Sequence, residues 1–249
     1  MIRMISSAAV AAVLVTTAPL DAADWTYEGP TGADRWGQIE KAFEKCEAGI
    51  MQSPIDLGNA NATGNIEVSV DWAKGPLAVL NNGHTVQVNF ASGSTMVSGG
   101  KTFNLLQVHF HTPSEHAVDG EHFPMTGHFV HASEEGELAV LGVMYVTGAT
   151  HDEMQKLVDV APARKADAMT VEGVMIDPNK LLPPSDGDIG VYRYMGSLTT
   201  PPCSEGVNWH VVPEPVEIGA DQLAAMEGIM GMNARPVQLL NGRLLVAPE

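Results

Sequence analysis

Residues 105–116 read LLQVHFHTPSEH, with two histidines one residue apart. In a strand, residues two apart point to one face, about 7 Å from each other. Gln107, His109 and His111 then share a face, and Leu106, Val108 and Phe110 share the other. Two imidazoles leaning together from that spacing can hold one metal ion. A second stretch, HFVH at 128–131, puts His128 and Val130 on one face, so His128 is the natural third ligand and His131 points away. Three neutral imidazoles suit zinc and leave a fourth position for water. Water in that position has a pKa of about 7, so hydroxide forms at neutral pH. A site left open in this way is catalytic in design, whereas a structural zinc site is closed by a fourth ligand.

An H-x-H pair alone is a weak signal, and the third histidine strengthens it. The remaining histidines His122, His131, His151 and His210 read as surface or half-buried residues without a chemical role. The string HFHTPSE also matches the metal motif of cupins, where two histidines and a glutamate bind iron or manganese. That motif expects glycines where Phe103 and His122 stand, which counts against it.

The elements that must carry these side chains are mostly strands. Short apolar stretches recur at 66–70, 85–90, 105–111, 128–131, 138–146 and 207–212, several of them alternating with period two. Helical periodicity is limited to 152–160, with Met154, Leu157 and Val158 on one side, and 221–230, with Leu223 and Met226. Gly and Pro punctuate the rest, and no repeat or linker divides it. The pattern is mainly β, one sheet-dominated domain with short peripheral helices.

The chain has 249 residues, 45% hydrophobic and 17% charged, enough for one well-buried core. Its net charge of −17 excludes nucleic acid and anionic membranes as natural partners. Residues 1–23 follow the order of a secretory signal peptide: Arg3, an apolar run at 8–15, then small residues at Ala18, Ala22 and Ala23. An uncleaved N-terminal anchor is the alternative. Cleavage would leave a domain of residues 24–249, periplasmic or secreted and free of the membrane. Export makes a disulfide between Cys46 and Cys203 reasonable, with two buried thiols as the alternative. The bridge would span 157 residues, worth about 5 kcal/mol at most by chain entropy.

Taken in order, six segments resemble the alpha-class carbonic anhydrases of the exported bacterial type over nearly all of residues 24–249. They are QSPIDL at 52–57, NNGH at 81–84, QVHFHTPSEH at 107–116, GHFVH at 127–131, LAVLG at 138–142 and YMGSLTTPPCSEGVNW at 194–209. The resemblance implies a central, mostly antiparallel twisted sheet of about ten strands. It implies a zinc enzyme, a lyase that hydrates carbon dioxide reversibly to bicarbonate and a proton. His109, His111 and His128 match the zinc ligands. Thr199 matches the residue that accepts a hydrogen bond from the attacking hydroxide, and Glu115 the carboxylate that takes the threonine's own proton. Val130, Val140, Leu198, Thr199, Thr200, Val207 and Trp209 match the substrate pocket. His84 matches the proton shuttle, and Tyr27, Asn82 and Gln87 fall at positions that hold ordered water.

Metal-bound histidines usually donate their second N–H to an outer partner. Gln107 fits that role for His109. For His128 the resemblance leads one to expect a glutamate two residues earlier, and Thr126 stands there, which also puts the nearby His116–Tyr194 pair in doubt. Two rival readings keep the fold: a non-catalytic binding protein, and a zinc buffer. Both are weakened by the presence of all three ligands with Thr199 and Glu115. Exported bacterial members are often homodimers, but no segment of the sequence marks an interface.

Overall fold

Period-two alternation sets most of this chain into strands. The computed structural model describes residues 24–185 and 187–249 and joins most of those strands in one sheet. The leader expected at 1–23 lies outside the described residues. Ten strands make the main path: β1 Ala62–Thr63, β2 Gly75–Asn81, β3 Val86–Asn89, β4 Lys101–His111, β5 Met125–Ala132, β6 Leu138–Thr147, β7 Ala166–Ile176, β8 Tyr192–Ser197, β9 Glu205–Val211 and β10 Leu245–Ala247. Their order in space is β1-β10-β8-β9-β6-β5-β4-β3-β2-β7. Glu67–Asp71, Thr95–Ser98, Ile189–Gly190 and Val216–Ile218 join the same sheet off this path.

Most neighbours are antiparallel, in line with the resemblance. The sheet is nevertheless mixed, because β1 runs parallel to β10, and β6 runs parallel to both β9 and Val216–Ile218. Parallel neighbours need a long connection, and the chain between β6 and β9 includes helix α1, Asp152–Val160. His151 caps α1 by accepting from the Met154 N–H, with Asp152 and Glu153 in the first turn. Met154 and Leu157 pack inward, as the periodicity requires. Helix α2, Ala220–Met230, buries Met226 and stops at Gly231, whose φ of 66° suits glycine.

β4 departs from simple alternation at one residue. Leu105 pairs with His131 and Gln107 with Val130, so Leu106 is an extra residue in the ladder. Before this bulge Phe103 and Leu105 face the main core; after it Val108 and Phe110 do. Leu106 itself is 44% exposed, which corrects the expectation that it shares a buried face with Val108 and Phe110. The face shared by Gln107, His109 and His111 is as expected.

The sheet is covered on both sides. The main core lies on the face of Val108, Phe110, Phe129, Leu141 and Val143, against α1 and α2. A second apolar cluster of Val140, Val207, Trp209 and Tyr194 lies on the face of the metal-ligating histidines. Two histidines read as surface or half-buried are therefore wholly buried: His131 and His210, both 0% exposed. Alternation turns them away from the zinc face, but away from that face is the other core rather than water. Burial holds both neutral, with pKa values lowered to about 4 and about 3.

Phe110 sits between the two histidines of β4 and is fully buried against the core. Phe110→Ala is expected to lower unfolding free energy by about 3–5 kcal/mol, read from urea denaturation of the mature chain.

Candidate metal centre and its surroundings

β4 and β5 are antiparallel neighbours, and His109 stands directly opposite His128. His111 lies one pleat further along β4 on the same face. The three offer ligand atoms within 4.8 Å of one another, with ring centroids 4.7–5.3 Å apart. His111 Nε2 and His128 Nδ1 lie 3.4 and 3.7 Å from the same Glu115 oxygen, so both nitrogens look into one space. His111 Nε2 is buried and has no hydrogen-bond partner, as a nitrogen reserved for a metal would be. Desolvation first, and then the neighbouring imidazoles, hold His109 and His128 well below the usual histidine pKa. These two donors are neutral at pH 7 and fit zinc without releasing a proton. On β6, Gly142 is the register neighbour of His128, and only a glycine's bulk meets the imidazole there.

Outer partners fix two of the three rings. His109 Nδ1 meets Gln107 Oε1 at 2.9 Å, as the sequence suggests, and His111 Nδ1 meets the Asn233 carbonyl at 2.7 Å. His128 differs. Its Nε2 is buried without a partner. Thr126 is fully buried, and its hydroxyl donates to the Val143 carbonyl at 3.0 Å instead. The His116–Tyr194 pair persists despite this substitution: His116 Nε2 lies 2.7 Å from the Tyr194 hydroxyl, which lies 2.8 Å from Ser53 Oγ.

Glu115 is fully buried, and desolvation raises its pKa against the opposing pull of His111, Thr199 and Arg235. Its Oε1 accepts from the Arg235 backbone N–H at 2.9 Å. Thr199 is close enough to act on the carboxylate, although no well-aligned hydrogen bond joins them and Oε2 is left without a partner. The loop carrying Leu198, Thr199 and Thr200 is held by the Cys46–Cys203 disulfide, by Cys203 N–H to the Thr200 carbonyl, and by Gln52 Nε2 to the Cys203 carbonyl.

A cavity of about 170 Å³ opens beside the histidines. Tyr27, Asn82, His84, Gln87, Gln107 and Thr200 all line it, so residues far apart in sequence meet here as expected. Asn82 Oδ1 accepts from the backbone of His84 and Thr85. That leaves the Nδ2 end for water. His84 stacks face to face on Trp25, with centroids 3.7 Å apart and an interplanar angle of 5°. The apolar set Val130, Val140, Leu198, Val207 and Trp209 forms one cluster, and Trp209 packs 4.8 Å from the His128 ring. Gly196 makes that packing feasible, since a Cβ there would collide with Ser53 Oγ and Trp209.

Sequence reasoning missed Trp25, Asn233 and Arg235. Asn233 accepts from Thr112 N–H and donates to the carbonyls of His84 and Phe110, tying the turn of His84 to the strand of His109 and His111. Nothing local marks it, because its partners lie more than a hundred residues away. Arg235 is 1% exposed and bonds Gln52, Ser53 and Cys46. An arginine in a Pro-bounded loop reads as solvated unless its partners are known.

The family model for eukaryotic-type carbonic anhydrases matches residues 31–248. The chain belongs to that family. Membership carries with it the zinc cofactor and the reversible hydration of carbon dioxide. Among curated relatives, a carbonic anhydrase of Pectobacterium carotovorum is 37% identical, the match covering 97% of this chain and 98% of that one. One from Nostoc sp. is 39% identical, covering 90% and 85%. Among solved structures, the alpha-carbonic anhydrase of Thermovibrio ammonificans, crystallised with the inhibitor sulfanilamide, superposes with a TM-score of 0.85. It is 42% identical and covers 91% of this carbonic anhydrase and all of that chain.

Two tests follow from the geometry. Thr126→Glu gives the orphaned His128 Nε2 an acceptor and is expected to slow zinc release by about 10–100-fold. Chelator-driven zinc loss from both proteins measures this, and equal rates would refute it. His84 is held below its ordinary pKa of 6.5 by burial first and then by Lys165, with Asp24 opposing. Lys165→Ala removes a repelling charge, so the His84 midpoint moves upward, and Asp24→Asn moves it downward. Titration of the His84 ring by NMR reads both directions.

Proposed function

We propose that this carbonic anhydrase hydrates carbon dioxide at the centre formed by His109, His111 and His128, with the residue roles below. The single observation that carries the proposal is the in-register pairing of His109 with His128 beside the Trp209 cluster. His109, His111 and His128 would hold zinc, which would supply a strong oxygen nucleophile at neutral pH by bringing the pKa of water there to about 7.

The chain's own residues do the rest. Val130, Val140, Leu198, Val207 and Trp209 offer an apolar wall to an uncharged, apolar substrate, while Thr200 faces it from the polar side. Thr199 lies close enough to Glu115 to give it the hydroxyl proton, and would then be left to accept from the attacking oxygen. That fixes a lone pair towards the substrate carbon and disfavours ligands that bring no proton. Desolvation raises the Glu115 pKa, and the Arg235 N–H on Oε1 and the Arg235 charge work against it, towards the charged carboxylate that this arrangement needs. His84 receives the proton through water held by Tyr27, Asn82 and Gln87 and releases it to buffer. His84 lines that cavity and stacks face to face on Trp25, which supports this role.

Residues 1–23 act in this reading as a cleaved export signal, and the mature domain works in the periplasm or outside the cell. The Cys46–Cys203 bridge supports an oxidising compartment. No helix among the described residues is long and apolar enough to cross a membrane.

Stopped-flow hydration by the zinc-loaded mature chain, over about pH 6 to 9, tests the reading beside His109→Ala. Activity should rise with a pKa of about 7 and be lost in the variant. Zinc content without activity would transfer the assignment to a zinc-binding or zinc-buffering protein on this fold. His84→Ala should lower turnover at low buffer concentration and recover as buffer rises.

A further inference from the structure

The sheet face opposite the histidines carries a second opening, of about 410 Å³. Arg193 and Met195 of β8, Asn208 of β9, Phe103 of β4 and Ser98 line it, together with Lys101 and Glu137. Lys101 is already paired, its Nζ bonded to Glu137. Arg193 is not: among the described residues its side chain makes no salt bridge or hydrogen bond, and its Nε is shielded from water without a partner. Asn208 Oδ1 is in the same condition. Shielding a guanidinium N–H without a partner is costly, and in a protein of net charge −17 an uncompensated cation inside a pocket is out of character.

The layer beneath reinforces the point. His210 is the register partner of Arg193 and is fully buried; its Nε2 meets Ser98 Oγ at 2.8 Å. Arg193 and His131 both disfavour a proton on it. The groups facing Arg193 from the neighbouring strands are thus neutral or positive, with Glu137 taken by Lys101. Phe103, Leu138 and Met195 add apolar surface to the same opening. An unpaired planar cation beside apolar side chains is the composition of a site for an anion with a hydrocarbon body.

We propose that this pocket binds a small organic monocarboxylate. The carboxylate takes the fork of Arg193, and its apolar body lies against Phe103, Leu138 and Met195. The volume exceeds what a bare inorganic anion fills, which favours a ligand of several carbons. The site lies across the sheet from the zinc centre and shares no lining residue with the cavity there.

The test is a titration of the zinc-loaded mature chain with benzoate, following the Arg193 Nε–H and Met195 methyl resonances by NMR. Benzamide serves as the uncharged probe and acetate as the probe without a body. The expected result is saturable benzoate binding that moves both resonances, weaker binding of acetate and no binding of benzamide. Arg193→Gln should weaken benzoate by about tenfold or more. Binding should persist in His109→Ala, which separates this pocket from any carboxylate held by zinc. Arg193→Lys keeps the charge without the planar fork and should give an intermediate affinity. Absence of saturation, equal affinity in Arg193→Gln, or loss of binding in His109→Ala would each overturn the proposal. So would Arg193 resonances that depend on protein concentration without ligand, because a second copy would then cover the pocket.

Discussion

The cross-strand pair His109–His128 is the constraint on which the rest of the molecule turns. Neither strand can slip by one residue relative to the other, because a one-residue shift sends every side chain to the opposite face. Three features hold the register. The bulge at Leu106 sets the parity of β4, so that Val108 and Phe110 enter the core while His109 and His111 leave it. Thr85 Oγ1 donates to the Phe110 carbonyl and accepts from the Phe110 N–H, locking the backbone between the two ligands. Asn233 then closes the open end of β4 through the Thr112 N–H and the His111 ring. The core on one face of β4 thereby positions the metal ligands on the other.

Electrostatics around this pair follow from burial more than from charge pairing. Glu115 and Arg235 are both buried, and neither is stabilised by a direct side-chain ion pair. Arg235 spends its guanidinium on neutral oxygens, and desolvation draws its pKa down to about 10. It reaches Glu115 through its backbone N–H, at 2.9 Å. Arg235 thus connects the carboxylate to Cys46, and the disulfide connects Cys46 to the loop of Thr199. Residues at the two ends of the chain therefore fix one carboxylate and one hydroxyl. Such a network resists deformation because any shift leaves a buried polar group unpaired.

What was legible in the sequence divides along the same line. The strand carrying His109 and His111, the facing of His128, helix α1 and the bridge between Cys46 and Cys203 all depend on local periodicity or on a few residue types, and they stand where the sequence placed them. The role of Gln107 towards His109 could be read from spacing of two within one strand. Asn233, Arg235 and Trp25 could not, since each acts through partners brought near only by the complete fold. The burial of His131 and His210 was misread for a different reason. Alternation tells which face a side chain takes, but not whether that face is covered. In a sheet with cores on both sides, a polar residue opposite the site is as buried as one within it. The mostly antiparallel character was legible, but which neighbours run parallel was not, because the placement of β6 beside β9 is decided by the long connection through α1, β7 and β8 and not by either strand.

The outer partners of the three ligands differ in strength, and that difference follows from where each histidine sits. His109, near the cavity, uses a side-chain amide of its own strand, which needs no tertiary contact. His111, at the strand end, uses a carbonyl from a distant loop. His128 lies in a central strand with neighbours on both sides, so its second nitrogen can be reached only from its own face, where Thr126, two residues back, lies closest. A threonine hydroxyl must satisfy itself in that dry position, and the nearest free carbonyl is that of Val143, on β6. Taking that bond removes the hydroxyl from His128. An acceptor on a longer stem could reach the imidazole; this hydroxyl, spent on the Val143 carbonyl, does not. The unpartnered Nε2 of His128 therefore follows from one short side chain at position 126, while the His116 and Trp209 rings pack beside it without giving it a hydrogen bond.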